Sequence, residues 1–136
     1  MQASLKLSDS FSLLVNYSRI KTVDETPDSP TYGLPAFNRP GSAANLTVSY
    51  TSPVKLSTSV AVRYSGSSLS ENFNVYPTAI VPLGGYTLID FRASYAINDH
   101  VEVYGRVDNL TDKRYEMVYQ YGTWGRTAFG GARVKF

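Results

Sequence analysis

The stretch KLSTSVAVRYS, from Lys55 to Ser65, decides the fold because apolar and polar side chains alternate along it almost without exception. Side chains of a β-strand point alternately to the two faces of its sheet, so this pattern predicts a two-sided strand. At about 11 residues, the strand is roughly twice as long as the average strand of a soluble protein. One face would carry Leu56, Thr58, Val60, Val62 and Tyr64.

Six further stretches repeat the alternation, with Leu14 as an exception. They comprise residues 3–7, 11–20, 44–51, 87–97, 101–108 and 126–136. Short turns at 8–10, 52–54 and 98–100 alternate with long loops at about 21–42, 66–85 and 109–125, for which we predict no regular structure. The chain therefore predicts an all-β fold, an antiparallel up-and-down meander of about seven long strands, with the three long loops at the same end.

Composition excludes several classes of function. The 136 residues are 43% hydrophobic, and 13 basic against 11 acidic side chains leave a net charge of +2, which is too balanced for a nucleic-acid-binding face. The absence of cysteine removes disulfide scaffolds, thiol nucleophiles and cysteine zinc sites. His100, the only histidine, falls in a predicted turn, and the acidic group Asp24, Glu25 and Asp28 fits a solvated loop better than a calcium site. We predict no enzyme activity, no catalytic residues, no metal site and no cofactor.

Alternation alone does not say which face is inside. In a soluble sheet the apolar face packs inward, whereas in an outer-membrane barrel it meets lipid and the polar face lines the lumen. Three features favour the barrel: strands of about 10 residues, short turns opposite long loops, and tyrosines at the ends of the apolar faces. The predicted fold is therefore a segment of a transmembrane β-barrel, with a soluble all-β binding module as the alternative.

Motifs in the last third of the chain resemble a known family. GYTLID at residues 85–90 and VDNLTDKRYE at 107–116 are similar to segments of the C-terminal barrel of TonB-dependent outer-membrane receptors, whose usual pattern is Asn-Leu-Phe-Asp-Lys-x-Tyr. This chain has Thr111 where phenylalanine is common. The continuation YQYGTWGR at 119–126 resembles the vitamin B12 transporter branch, and siderophore receptors share parts of it.

The resemblance implies uptake across the bacterial outer membrane, with cobalamin or a ferric siderophore as the ligand and the TonB complex as the source of energy. Receptors of this family have a barrel of about 22 strands that encloses a plug domain. Residues 1–136 would be the C-terminal segment of such a barrel, with the plug domain and the N-terminal strands absent. A barrel fragment without activity on its own is a further alternative. The implied partners are outer-membrane lipid, the plug domain, the TonB complex, the barrel assembly machinery and the small ligand.

Three sets of residues are candidates for function. Loop aromatics offer apolar contact area with a polar group for a ligand, and we predict Tyr32, Tyr76, Tyr119, Tyr121 and Trp124. Charged residues of the polar faces would line the lumen, pair with one another and contact the plug, namely Arg63, Asp90, Arg92, Glu102, Arg106 and Arg133. The residues Gly131, Val134 and Phe136 resemble the assembly signal of outer-membrane barrels, although Phe129 stands where that signal has a polar residue.

Overall fold

The computed structural model describes all residues from 1 to 136 and contains nine β-strands. They are β1 (Gln2–Lys6), β2 (Phe11–Arg19), β3 (Ser42–Thr51), β4 (Leu56–Ser65), β5 (Ser68–Asn72), β6 (Ala79–Leu83), β7 (Tyr86–Ala96), β8 (Val101–Asp108) and β9 (Thr127–Val134). Seven strands form one antiparallel sheet in the order β1-β2-β3-β4-β7-β8-β9, and β5 and β6 form a separate hairpin. No helix in the structure has the length and apolar character needed to cross a bilayer.

The predicted up-and-down meander is confirmed. Each strand of the large sheet pairs with the next large-sheet strand along the chain, so the connections alternate between its two ends. The short connections 7–10, 52–55 and 97–100 lie at one end, which we call the turn end. The long connections 20–41, 66–85 and 109–126 all lie at the opposite end, which we call the loop end.

The pairing register sorts the side chains into two faces. Val60 of β4 lies opposite Val48 of β3 on one side and Phe91 of β7 on the other. Directly opposed residues point to the same side of a sheet, so these side chains belong to one apolar face. The intervening positions form the polar face, on which Arg92 of β7 lies opposite Arg106 of β8.

The second long loop corrects one expectation, because it is not structureless. It contains the β5–β6 hairpin, in which Ser68 pairs with Leu83 and Asn72 with Ala79. The alternation rule does not detect this hairpin because β5, SLSEN, is mostly polar and β6, AIVPL, is mostly apolar. Pro82 also lacks a backbone N–H, which lowers its strand propensity.

Only six of the 136 residues are buried, and they lie toward the loop end of the molecule. They are Gly66, Ser70, Leu83, Leu88, Asp90 and Asn109. The apolar face remains uncovered, since Val48, Val60 and Phe91 are each between 37% and 40% exposed. The small core therefore forms where the long loops fold back on the polar side of the sheet, and the large apolar face contributes nothing to it.

Candidate functional site

The first long loop is organised around one carboxylate. Asp24 accepts hydrogen bonds from the Ser29 hydroxyl at 2.7 Å, the Thr31 hydroxyl at 2.6 Å and the Thr26 backbone N–H at 2.9 Å. These donors, with Thr31 the strongest, hold the pKa of Asp24 well below its usual range. All three donors belong to the same loop, so the carboxylate ties residues 24–31 together. Tyr32 of this loop is 64% exposed.

The three long loops are joined to one another by hydrogen bonds. The backbone N–H of Asn38 in the first loop donates to the carbonyl of Leu69 in β5. The fully buried Ser70 hydroxyl of β5 accepts from the Tyr119 N–H of the third loop at 3.0 Å. The Asn74 side chain at the tip of the hairpin donates to the Gln120 side chain at the tip of the third loop. The loop end is thus one connected surface.

The third loop, residues 109–126, folds into a compact structure that we call the arm. Two contacts link the two halves of this loop. The Thr123 hydroxyl donates to the Tyr115 carbonyl at 2.6 Å, and Glu116 forms an antiparallel β-bridge with Gly122. The Arg126 N–H closes its base by donating to the Asp112 carboxylate at 2.7 Å. The cross-loop contacts turn a long connection into a hairpin-like element.

Two contacts fix the arm to the polar face of β7. The ring of Tyr115 stacks on the ring of Tyr86, with centroids 4.2 Å apart. The backbone N–H of Asn109 donates to the buried carboxylate of Asp90 at 2.9 Å. Asp90 also accepts two hydrogen bonds from the guanidinium of Arg63, at 2.7 and 3.1 Å.

A cleft of about 600 Å³ opens on the polar side below the arm. Its walls include Arg63, Leu88, Met117 and the stacked pair Tyr86 and Tyr115. The Arg63 side chain is 51% exposed although it pairs with Asp90. The cleft therefore combines a cationic group with aromatic and apolar walls, a combination that suits an anionic or aromatic ligand group.

The aromatic residues chosen from the sequence lie on all three loops. Tyr76, Tyr121 and Trp124 are strongly exposed, at 101%, 72% and 86%, whereas Tyr119 is half-buried. The Asn74–Gln120 hydrogen bond brings the loop tips that carry Tyr76 and Tyr121 together. Sequence reasoning did not identify Asn74 and Gln120 as linking residues. Gln120 adopts a positive φ of 63°, which a sequence of this kind does not reveal.

Several charged residues of the polar face form ion pairs with nearby residues of the same face. Besides Arg63–Asp90, Arg133 contacts Glu102 at 2.7 Å, and Arg106 contacts Asp108 at 3.4 Å. Arg106 also lies over the ring of Phe129, with its guanidinium carbon 4.4 Å from the ring centroid. This stacking explains an aromatic residue on the polar face of β9. Arg92 lies on this face and forms no ion pair.

The residues of the C-terminal motif lie on and beyond β9. At Gly131 a Cβ would lie 2.6 Å from the hydroxyl of Tyr104 on β8, so a larger residue there would have to displace the tyrosine ring. Val134 is 53% exposed, and Phe136 is fully exposed. The geometry thus gives Gly131 a packing role within the sheet, independent of any role in assembly.

Comparison with known proteins identifies the relatives of this fold. Residues 2–110 match the family described as TonB dependent receptor-like, beta-barrel. The ferripyoverdine receptor of the Pseudomonas aeruginosa outer membrane has a similar structure, with a TM-score of 0.78 at 20% identity over 99% of this chain and 19% of that one. The ferric-catecholate import receptor Fiu of E. coli K12 gives 0.76 at 23% identity over 99% and 20%.

A copper transporter, OprC, has the same fold, with a TM-score of 0.77 at 15% identity over 99% of this chain and 22% of that one. The chain thus spans about a fifth of the length of the solved structures that it matches. At these identities the structural likeness speaks for the fold alone.

Proposed function

Because this chain belongs to the TonB-dependent receptor-like β-barrel family, we propose that it forms part of an outer-membrane transporter that takes up a metal chelate of the ferric siderophore or cobalamin class. Receptors of this family are transporters and not enzymes, and they reside in the bacterial outer membrane. In this proposal the 136 residues supply the C-terminal part of the barrel wall and three of its extracellular loops.

The observation that carries the proposal is the connected loop end with its exposed aromatic side chains. Tyr76, Tyr121 and Trp124 present large apolar surfaces to the solvent from loops that hydrogen bonds tie together. Rigid aromatic side chains contact a planar ligand at a low cost in conformational entropy. Catecholate groups and the corrin ring are planar or nearly planar ligands of this kind. Tyr32 and Tyr119 would complete the contact surface.

The polar face supports the same proposal. It would line the lumen, where Arg63, Glu102 and the other charged side chains meet water and the plug domain. A charged side chain facing lipid costs about 2–4 kcal/mol at the bilayer midplane, and every charged residue of β4, β7 and β8 lies on the polar face. The TonB complex would supply energy through the plug, and the barrel assembly machinery would insert the chain.

Uptake by whole cells tests the proposal. Cells that carry the receptor are supplied with ferripyoverdine, ferric enterobactin or cyanocobalamin bearing a radiolabelled metal, with and without a functional TonB complex. We expect TonB-dependent accumulation of one of these chelates. The double variant Tyr121→Ala, Trp124→Ala should lower that uptake at an unchanged receptor level, because it removes the exposed aromatic surface of the arm.

The matched control is Tyr95→Ala, which removes a similarly sized tyrosine that is 45% exposed on the apolar face near the turn end. It should leave uptake per receptor unchanged. Accumulation of none of the chelates, or equal uptake by the arm variant and the native receptor, would contradict the proposed role of the loop end.

A further inference from the structure

Asp90 differs from the other ion-paired carboxylates of the protein. Its side chain is 4% exposed, whereas those of Glu102 and Asp108 are 28% and 29% exposed. Burying a carboxylate costs free energy unless donors surround it. The Arg63 guanidinium provides two of those donors, and the third is the backbone N–H of Asn109. The Arg63–Asp90 pair alone would link β4 to β7, whereas the Asn109 N–H also links Asp90 to the arm.

Asn109 in turn carries the connection into the arm. Its φ of 53° is left-handed, a conformation that asparagine tolerates better than most residues. In this conformation its side chain folds over the next turn. The carboxamide nitrogen donates to the Lys113 carbonyl at 2.9 Å, and the carboxamide oxygen accepts from the Lys113 N–H at 2.9 Å. The first turn of the arm is therefore closed on the residue that Asp90 holds.

The chain of contacts continues to the exposed aromatic residues. Asp112, one residue before Lys113, also has a φ of 53° and holds the Arg126 N–H at the exit of the arm. A Cβ at Gly125 would lie 2.6 Å from the same Asp112 carboxylate, so the exit passes close to it. Trp124 directly precedes this glycine.

We propose that Asp90, with Arg63 and Asn109, is a joint that positions the arm relative to the barrel wall and thereby fixes the placement of Tyr121 and Trp124. The geometry makes the arm a preorganised element and not a free loop. That the arm contacts a ligand rests on the proposed function, whereas the joint itself does not.

A spin label on the arm tests the joint without any ligand. The chain contains no cysteine, so Tyr121→Cys creates one labelling position in it. The receptor carrying a nitroxide at residue 121, free of other cysteines, is placed in lipid nanodiscs, and its electron paramagnetic resonance spectrum is recorded. We expect a slow component in the otherwise native protein. Asp90→Ala should increase the fast component severalfold.

Glycine adopts the left-handed conformation of residue 109 without strain, so Asn109→Gly leaves the Arg63–Asp90 pair intact. It removes only the two hydrogen bonds between the Asn109 carboxamide and Lys113. It should also mobilise the label. Asp108→Asn is the matched control, because Asp108 directly precedes Asn109 and its carboxylate pairs with Arg106, which is not part of the joint. It should leave the spectrum as in the native protein. A label at Val54, at the turn end, should be unaffected by all three changes.

An unchanged spectrum at residue 121 in assembled Asn109→Gly and Asp90→Ala receptors would overturn the proposal, as would equal mobilisation by Asp108→Asn. If the Asp90→Ala receptor does not assemble, the mobility of the label in the Asn109→Gly receptor decides whether the joint exists. Mobilisation of the label by these changes, with unchanged uptake by the corresponding unlabelled variants, would count against the proposed function of the arm and leave the joint standing.

Discussion

At two glycines, the distance to a neighbouring side chain limits the size of the residue that the position can hold. Gly125 lies so close to the Asp112 carboxylate that any larger residue must displace it. On the sheet, Gly131 accommodates the ring of Tyr104 in the same way. Both glycines fall in segments that motif comparison had singled out, and in both cases the structure provides a steric reason for the small residue.

Asp24 leads to a prediction at the residue scale. Its pKa in the folded protein is lowered, mainly by the hydroxyls of Thr31 and Ser29. A group whose pKa falls on folding contributes stability above its unfolded pKa, near 4, and loses it as the pH drops through the lower folded value. The first loop should therefore keep its structure from pH 7 to pH 5 and loosen only at pH values far below 4.

Hydrogen exchange at the Thr26 amide, which donates to Asp24 at 2.9 Å, measures this loosening after correction for the intrinsic exchange rate. Asp24→Ala should raise the exchange severalfold at pH 7, whereas Glu25→Gln, which changes a neighbouring exposed carboxylate, should not. A rise in exchange already at pH 5 in the native protein would refute the assignment.

At the scale of elements, successive residues of each strand point to opposite faces of the sheet, and substitutions at two adjacent residues can test which face meets lipid. Val48 lies on the apolar face opposite Val60, and Ser49 lies on the polar face opposite Ser59. We predict that Val48→Arg lowers the stability of the barrel in lipid by about 2–4 kcal/mol, since it places a charge in the hydrocarbon.

Ser49→Arg introduces the same side chain on the same strand and should cost less than about 1 kcal/mol, because it faces the polar side. Urea unfolding of the receptor in lipid vesicles compares the two variants. Equal destabilisation by both would show that the assignment of the faces to lipid and lumen is wrong.

Sequence reasoning succeeded where apolar and polar residues alternate, and it failed where a strand lacks this alternation or where a contact depends on strand register. Period-two alternation predicted the seven strands of the sheet and their two faces. The β5–β6 hairpin was not predicted because apolar and polar residues do not alternate along either of its strands. The joint was not predicted because Arg63 and Asp90 are 27 residues apart and come together only through the pairing of β4 with β7. The aromatic candidates could be chosen by residue type, but the contact that joins their loops could not.

At the scale of the whole molecule, aromatic side chains border the apolar face. Tyr17 and Tyr64 lie near the loop end, while Phe11, stacked on Tyr50 at 4.7 Å, and Tyr95 lie near the turn end. On β4 the two borders are about eight residues apart, or roughly 26 Å at 3.3 Å per residue. Strands of outer-membrane barrels tilt by roughly 35–45°, so this length spans about 20 Å of the bilayer, close to the apolar band of such a barrel, which is about 25 Å tall and flanked by aromatic girdles.

The surface area of the chain points to the same environment. The accessible surface is 9892 Å² for a mass of 15.0 kDa. A compact soluble protein of this mass exposes about 7,000 Å². A single sheet with no second layer over its apolar face accounts for part of this excess. In water this face would associate with any other apolar surface.

The last prediction follows from this uncovered face. The 136-residue chain, refolded from urea, should acquire the circular dichroism of a β-sheet only in detergent micelles or lipid vesicles, because the hydrocarbon covers Val48, Val60, Phe91 and their neighbours. In buffer alone the same chain should aggregate, since its apolar face and the free edges of β1 and β9 are both open to other copies. Circular dichroism with sedimentation velocity, at equal protein concentration with and without detergent, measures both properties. A folded, monomeric chain in detergent-free buffer would instead support the soluble all-β binding module and contradict the assignment of the apolar face to lipid.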